Sequence, residues 1–254
     1  MKYTAVVLAG SRPGRDDFAA SFRTDLKALI RVAGEPMVRR PVRALLASQY
    51  VGNVLVMTQS PEAIAAALPD DERVQLQASR ESIASTVLAL CKDVSVQWPL
   101  LVTTADHALL DTATIDEFAR AATGADIAIG VVGQGMLMRR LSSTRRTWLK
   151  FRGGAYTGAN LFALASPKVA PAIELWRSVE HDRKKAWRII SLLGPIMLLV
   201  TMLRLASLDD VLDQLSGRLG LKIRAVQLAN PLAGVDVDKP EDHALAEAIL
   251  EGRA

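Results

Sequence analysis

Asp106, in "LLVTTADHALLD", and Asp238, in "AGVDVDKPEDHALAEAIL", are carboxylates placed where they could do chemistry in this 254-residue chain. An acid that closes an apolar strand faces the rim where open parallel sheets bind ligands. There it is a natural Mg2+ ligand once phosphate supplies the remaining oxygens. Asp236 alternates with Asp238, so an extended backbone puts both on one face. Two acids that merely precede a helix are the competing reading. Asp111 stands five residues beyond Asp106, and His107 beside Asp106 invites a catalytic role, for which a polar neighbour at a turn is the plainer alternative. The third stretch is "VVLAGSRPGRDDFAASFRTDLKALI". Gly10 permits close backbone approach to a ligand, and Arg12, Arg15, Arg23 and Lys27 could neutralise a triphosphate. A solvated charged turn would have the same composition. Neither a GxxxxGK[ST] phosphate loop nor a GxGxxG dinucleotide loop is present.

These residues need a scaffold, and the chain alternates short β-rich runs with longer helical patterns. "YTAVVLA" precedes the cationic loop and a helix around "MVRRPVRALLAS"; "NVLVMTQ" precedes "PEAIAAAL". "RVQLQA" precedes "SIASTVLALCKD", "WPLLVTTAD" precedes "DTATIDEFARAAT", and "DIAIGVV" follows. This order predicts an α/β fold, a mostly parallel nucleotide-binding sheet covered by helices on both faces. The loops after Leu8 and Val102 then share one rim. Downstream, "GQGMLMRRLSSTRRTWLKFRGG" predicts a mobile loop that carries cationic groups over the site, before a strand at "ANLFALA". "KIRAVQLA" returns as a strand, and Pro240 opens a closing helix with Glu241 and Asp242 in its first turn. Without repeats or a low-complexity linker, residues 1–254 are expected to form a single domain, with a helical insertion at about 166–220.

Composition narrows the partners. Half the residues are apolar and the net charge is +4, which suits nucleotides, phosphorylated metabolites or lipid headgroups. Nucleic acid ranks last, because the basic residues cluster on the candidate site loops with little aromatic interleaving. The lone Cys91 fits a reducing compartment, and "MKYTAVVLAG" is too short a run for a signal peptide. The expected location is cytoplasmic.

In combination, "VVLAGSRPG", "DLKALIRVAGEPMVRRPVRALL", the strand-end aspartate, "YTGANLFAL" and "VDVDKPEDHALAEA" resemble the nucleotidyltransferases of the glycosyltransferase A-type fold, in particular the molybdenum-cofactor guanylyltransferase-like group. The resemblance runs from about Lys2 to Asn160 and from about Lys222 to Glu251. It implies a Rossmann-like sheet and Mg2+-dependent transfer of NMP from an NTP, CTP or GTP first, to a phosphorylated acceptor. It implies that Leu8, Ala9, Gly10 and Ser11 bind the nucleotide, while Lys27 with Arg12 or Arg15 is catalytic. By the same resemblance Asp106 and Asp238 bind Mg2+, Asn160 meets the acceptor, and Ser82 with Arg80 reads the base; Asp236 is a further metal candidate from its spacing with Asp238 alone. This chain departs from the family loop in two ways: Ser11 stands where a second glycine is usual, and "DDFAASF" lengthens the gap to Lys27.

The segment without a counterpart holds "WRIISLLGPIMLLVTMLRL", uncharged from Ile189 through Leu203 and broken at Gly194-Pro195. It is shorter than the roughly 20 residues that cross a bilayer. Arg183, Lys184, Lys185 and Trp187 lie just before it, so residues 183–205 read either as an interfacial membrane contact at the inner membrane surface or as a core or dimer helix. The interfacial reading would suit a lipid-precursor acceptor. A glycosyltransferase that uses a nucleotide-sugar donor, and a non-catalytic nucleotide-binding membrane-associated protein, are the competing functions.

Overall fold

A computed structural model describes residues 2–11, 14, 16–142, 144, 146–180, 200 and 203–253. Arg12 and Arg15 lie outside the described residues, as do Arg183, Lys184, Lys185 and Trp187 and almost all of the uncharged run.

Numbered in chain order, the strands are β1 (Tyr3–Leu8), β2 (Arg31–Val32), β3 (Glu35–Pro36), β4 (Val51–Thr58), β5 (Val74–Ala78), β6 (Leu100–Thr104), β7 (Ile127–Gly133), β8 (Leu149–Phe151), β9 (Gly154–Leu164) and β10 (Ile223–Gln227). The helices are α1 (Asp17–Ser21), α2 (Arg39–Ala47), α3 (Pro61–Ala65), α4 (Ile83–Lys92), α5 (Thr112–Ala121), α6 (Gln134–Arg140), α7 (Ala170–Glu180), α8 (Leu208–Leu219) and α9 (Pro240–Leu250). Among the described residues one sheet runs β10-β7-β9-β6-β1-β4-β5, with β8 paired to β9 outside that path. β1 pairs in parallel with both β4 and β6, β4 with β5, and β7 with β10. β9 is the exception, antiparallel to both β6 and β7. The fold is α/β, with a mostly parallel sheet between helical layers.

The apolar run of β1 explains why the sheet is covered twice. Side chains alternate across a strand, so Ala5 and Val7 enter one core with Val42, Leu45, Ile115 and Phe118. Val6 and Leu8 enter the other with Val87, Leu90 and Ile173. A strand buried on both faces reads as a continuous hydrophobic run, which is what "AVVL" is.

The inserted "DDFAASF" folds locally. Asp16 caps α1 by accepting from the amides of Phe18 and Ala19, both at 3.0 Å. Phe22 then packs on His243 of α9 with ring centroids 4.5 Å apart, and His243 Nε2 lies 2.7 Å from the Arg31 carbonyl. The insertion is thereby docked on the helix that follows Asp238. Within 166–220, the described residues include α7 and α8; Ser207 and Asp210 cap α8 reciprocally, and Gly220 ends it at φ 64°.

Candidate active site

The loops after β1, β4, β5 and β6 all leave the carboxyl ends of parallel strands, so they meet on one rim. The β1 loop begins tightly held: Ala9 N donates to the Met57 carbonyl at 2.8 Å, and Ala105 N donates to the Leu8 carbonyl at 3.0 Å. Leu8 and Ala9 are buried, while Gly10 is exposed. A Cβ on Gly10 would come within 2.9 Å of the Gln59 carboxamide. That carboxamide links the loops: Ser11 N donates to Gln59 Oε1 at 2.9 Å, and Gln59 Nε2 donates to the carbonyls of Ser11 at 3.4 Å and Arg80 at 3.3 Å. Gln59 carried no motif in the sequence.

Arg80 is exposed, and its amide donates to Thr86 Oγ1 at 3.0 Å. Ser82 is the N-cap of α4, its hydroxyl accepting from Ser85 N at 3.2 Å. The base-reading role implied for Ser82 therefore has to be shared with a helix cap.

Lys27 sits on a 3₁₀ turn, Lys27–Leu29, whose Ala28 is anchored in the core. Its ammonium donates to Asp106 Oδ2 at 2.6 Å and also to Asp238 Oδ1. Asp106 ends the β6 loop held by Thr104, whose hydroxyl donates to Asp106 Oδ1. Val237 N donates to the Asp106 carbonyl at 3.0 Å, which joins the two acidic segments through the backbone. Three residues far apart in sequence thus converge on one cation position. Burial works to lower the Lys27 ammonium, but Asp106 and Asp238 overcome it and hold the pKa above the ordinary lysine value. Burial likewise works to raise Asp238, and Lys27 outweighs it, keeping that carboxylate below its usual range.

Val235 and Val237 are fully buried, so Asp236 and Asp238 turn the other way, as alternation along an extended backbone requires. Asp236 does not share the Lys27 position. It forms an ion pair with Arg146 and accepts from Asn160 Nδ2 at 3.3 Å. Asn160 holds φ at 45°, an uncommon left-handed backbone that asparagine tolerates. Burial first, and Asp238 second, push Asp236 up to about 6 against the pull of Arg146.

Arg146 belongs to the loop expected to carry cations over the site, yet it is itself held in ion pairs, while Arg145 lies outside the described residues. The Arg146 side chain is 8% exposed, and it also pairs with Asp242 at 2.9 Å. Asp111 caps α5 by accepting from Thr114 N at 2.7 Å. His107 is 1% exposed with Nδ1 3.3 Å from Thr103 Oγ1, a packed ring and not a solvated turn residue. Burial pushes its pKa down to about 4.

Among the described residues no cluster of three or more His, Cys, Asp or Glu is arranged to hold a metal ion. Two facing carboxylates remain, Asp106 and Asp238, with a lysine ammonium between them. Hard oxygen donors around a position already selected for positive charge fit Mg2+, which commonly takes one or two protein carboxylates and fills its shell with phosphate and water.

A mostly parallel sheet between helical layers, with charged loops at its strand ends, defines an α/β protein of the Rossmann-like kind. Residues 5–196 match the MobA-like NTP transferase domain, and the chain belongs to that family. The match reaches well into the segment after Asn160 that the motifs leave without a counterpart. No curated protein sequence matches the chain. Of the solved structures, a hypothetical transferase from Thermus thermophilus is similar at 28% identity and a TM-score of 0.80, covering 96% of this chain and 100% of that one. A 4-diphosphocytidyl-2C-methyl-D-erythritol synthase from Anaerococcus prevotii shares the fold at 12% identity and TM-score 0.62, covering 98% and 96%. So does a CMP:2-keto-3-deoxy-manno-octonic acid synthetase complexed with CTP, at 13% identity and TM-score 0.62 over 100% of both chains. The chain is a nucleotidyltransferase.

Proposed function

We propose that the chain transfers NMP from an NTP, CTP or GTP first, to a phosphorylated small-molecule or lipid-precursor acceptor. An acceptor phosphate oxygen forms a bond to the α-phosphorus. The bond from that phosphorus to the α,β-bridging oxygen breaks, and pyrophosphate leaves with the electron pair. No protein nucleophile is needed, so the residues act by positioning and by charge neutralisation. The observation that carries the reading is Lys27 held between Asp106 and Asp238 at the carboxyl rim of the sheet. The choice of bases leans on the family and on the cytidylyl-transferring names of two fold neighbours.

On this reading Asp106 and Asp238 would hold Mg2+, with Asp236 in reserve beside them. When bound, Mg2+ supplies neutralisation of phosphate charge and a fixed orientation of the oxygens it touches. Lys27, released from the carboxylates, turns to the triphosphate together with Arg12 or Arg15. The backbone of Leu8 to Ser11 holds the nucleotide, the loop carrying Arg80 and Ser82 reads the base, and Asn160 faces the acceptor. The location proposed for this chemistry is the cytoplasm.

The test incubates the protein with each of the four NTPs, Mg2+ and a pool of phosphorylated acceptors, and measures pyrophosphate. Release with CTP or GTP that disappears in Asp106→Ala, at unchanged melting temperature, supports the reading. Consumption of a nucleotide-sugar without pyrophosphate would reassign the site to glycosyl transfer, and nucleotide-induced stabilisation without turnover would make it a binding protein.

A further inference from the structure

Arg146 lies in the loop between α6 and β8, some ninety residues from the acids it meets, and its guanidinium is nearly closed off from solvent. One side of the fork binds the Asp236 carboxylate, while Nη2 donates to the Asp236 carbonyl at 3.2 Å and to Asp242 Oδ1 at 2.9 Å. Both acids carry the contact onward. Asp242 is 5% exposed, in the first turn of α9, and its other oxygen, Oδ2, accepts from Asp238 N at 3.3 Å. Asp236 Oδ2 accepts from Asn160 Nδ2. A single guanidinium therefore reaches the Asp238 backbone through Asp242, and the Asn160 amide through Asp236.

A buried charge network of this kind is weak evidence for stability, because taking the charges out of water costs about what their attraction returns. Its geometry offers a better reason for it. Asp238 is an exposed residue at the end of a segment that belongs to none of the strands, and its side chain is 57% accessible. Its position opposite Asp106 is set by its backbone, which is fixed at Val237 by the Asp106 carbonyl and at Asp238 by Asp242. Asp242 can hold that amide only while its own orientation is fixed, and Arg146 fixes it by donating to the other carboxylate oxygen.

We propose that Arg146 is a positioning residue for nucleotidyl transfer: through Asp242 it sets the Asp238 carboxylate against Asp106, and through Asp236 it aims Asn160. The inference rests on the functional reading above. It assigns Arg146 no contact with nucleotide or acceptor. A lysine cannot replace it, since one ammonium lacks the planar fork that meets two carboxylates and a carbonyl together.

The test uses the full chain and two variants, Arg146→Lys and Asp242→Asn, with Mn2+ as the probe. Free Mn2+ is followed by electron paramagnetic resonance in the presence of α,β-methylene-CTP and, in parallel, α,β-methylene-GTP, well below the melting temperature. Each variant should bind Mn2+ about tenfold more weakly than wild type, a loss of about 1.4 kcal/mol. In turnover, kcat should fall by a similar factor while the KM for NTP changes less than threefold. The double variant should lose no more than the weaker single one, because both break the same connection. Unchanged Mn2+ affinity in a folded Arg146→Lys protein would overturn the inference, as would strictly additive losses. Should Arg146→Lys fail to fold, Asp242→Asn alone decides by the same two readouts. A wild-type protein that takes up no Mn2+ with either analogue overturns the functional reading itself, and the inference with it.

Discussion

Lys27 is the residue whose surroundings say most about its work. Its ammonium is shared between Asp106 and Asp238, with a side chain only 21% exposed. In that position it cancels a repulsion that two facing carboxylates would otherwise suffer. Removing it should therefore have two separable effects. Lys27→Ala should weaken NTP binding by roughly 1.5–3 kcal/mol, the range for a hydrogen bond to a charged group. It should also make the melting temperature more responsive to Mg2+ than in wild type, because a divalent ion would take over the neutralising role. Isothermal titration with NTP and a melting series in Mg2+ check the two effects. An affinity within twofold of wild type would reduce Lys27 to a local ion-pair partner. Asp106→Asn belongs to the same scale: it keeps the size of the side chain, removes the charge, and should abolish pyrophosphate release at saturating Mg2+ while the protein stays folded.

In the loop from β6 to α5, the burial of His107 should make stability depend on pH. With the folded pKa near 4 and the unfolded value near 6.5, the unfolded chain binds the extra proton first as pH falls. The stability that His107 contributes is thus fully present above about pH 6.5 and is lost as pH falls towards 4. The difference amounts to about 3 kcal/mol. Asp236 works against it, since its folded pKa near 6 lies above its unfolded value and favours the folded state as pH falls through the same window. Comparing wild type with His107→Gln isolates the histidine. The variant should lose less stability than wild type between pH 6.5 and 4 in thermal melts, and parallel profiles would mean that the ring charges without unfolding the loop. The 3₁₀ turn Pro231–Gly234 is the neighbouring element to probe. A Cβ on Gly234 would meet Thr157 Cγ2 at 3.0 Å and Val132 Cβ at 3.2 Å, so Gly234→Ala should cost about 1–3 kcal/mol by crowding β7 and β9. Chemical denaturation measures that cost.

At the scale of the whole molecule, no helix among the described residues is long and apolar enough to cross a membrane. The peripheral contact proposed for residues 183–205 is a different matter and calls for its own measurement. If that contact exists, wild-type protein should float with anionic liposomes at low salt, and release as salt screens the attraction. Replacing Arg183, Lys184 and Lys185 with Gln should lower the floated fraction several-fold without changing the melting temperature. Wild type that stays at the bottom of the gradient at low salt would remove the membrane contact and the support it lends to a lipid-precursor acceptor.

The sequence by itself determined the sheet and its two covering layers. The reason is that strand and helix periodicities are local, and "AVVL" or "LLVTT" must be buried whatever lies next to it. Motif order carried Lys27, Asp106 and Asp238 as candidates through resemblance. Their meeting at one position needed the fold, because residues 79 and 211 apart in sequence touch only when β6 lies beside β1 and Val237 is tied to the Asp106 carbonyl. Strand order was likewise a tertiary outcome. Nothing in "YTGANLFAL" says that β9 inserts antiparallel between β6 and β7, since the alternation of buried and more open positions along a strand reads the same in either direction. The same holds for Arg146, Asp242 and Gln59. Each belongs to a residue type that is usually solvated, and only packing against distant partners turned them into struts.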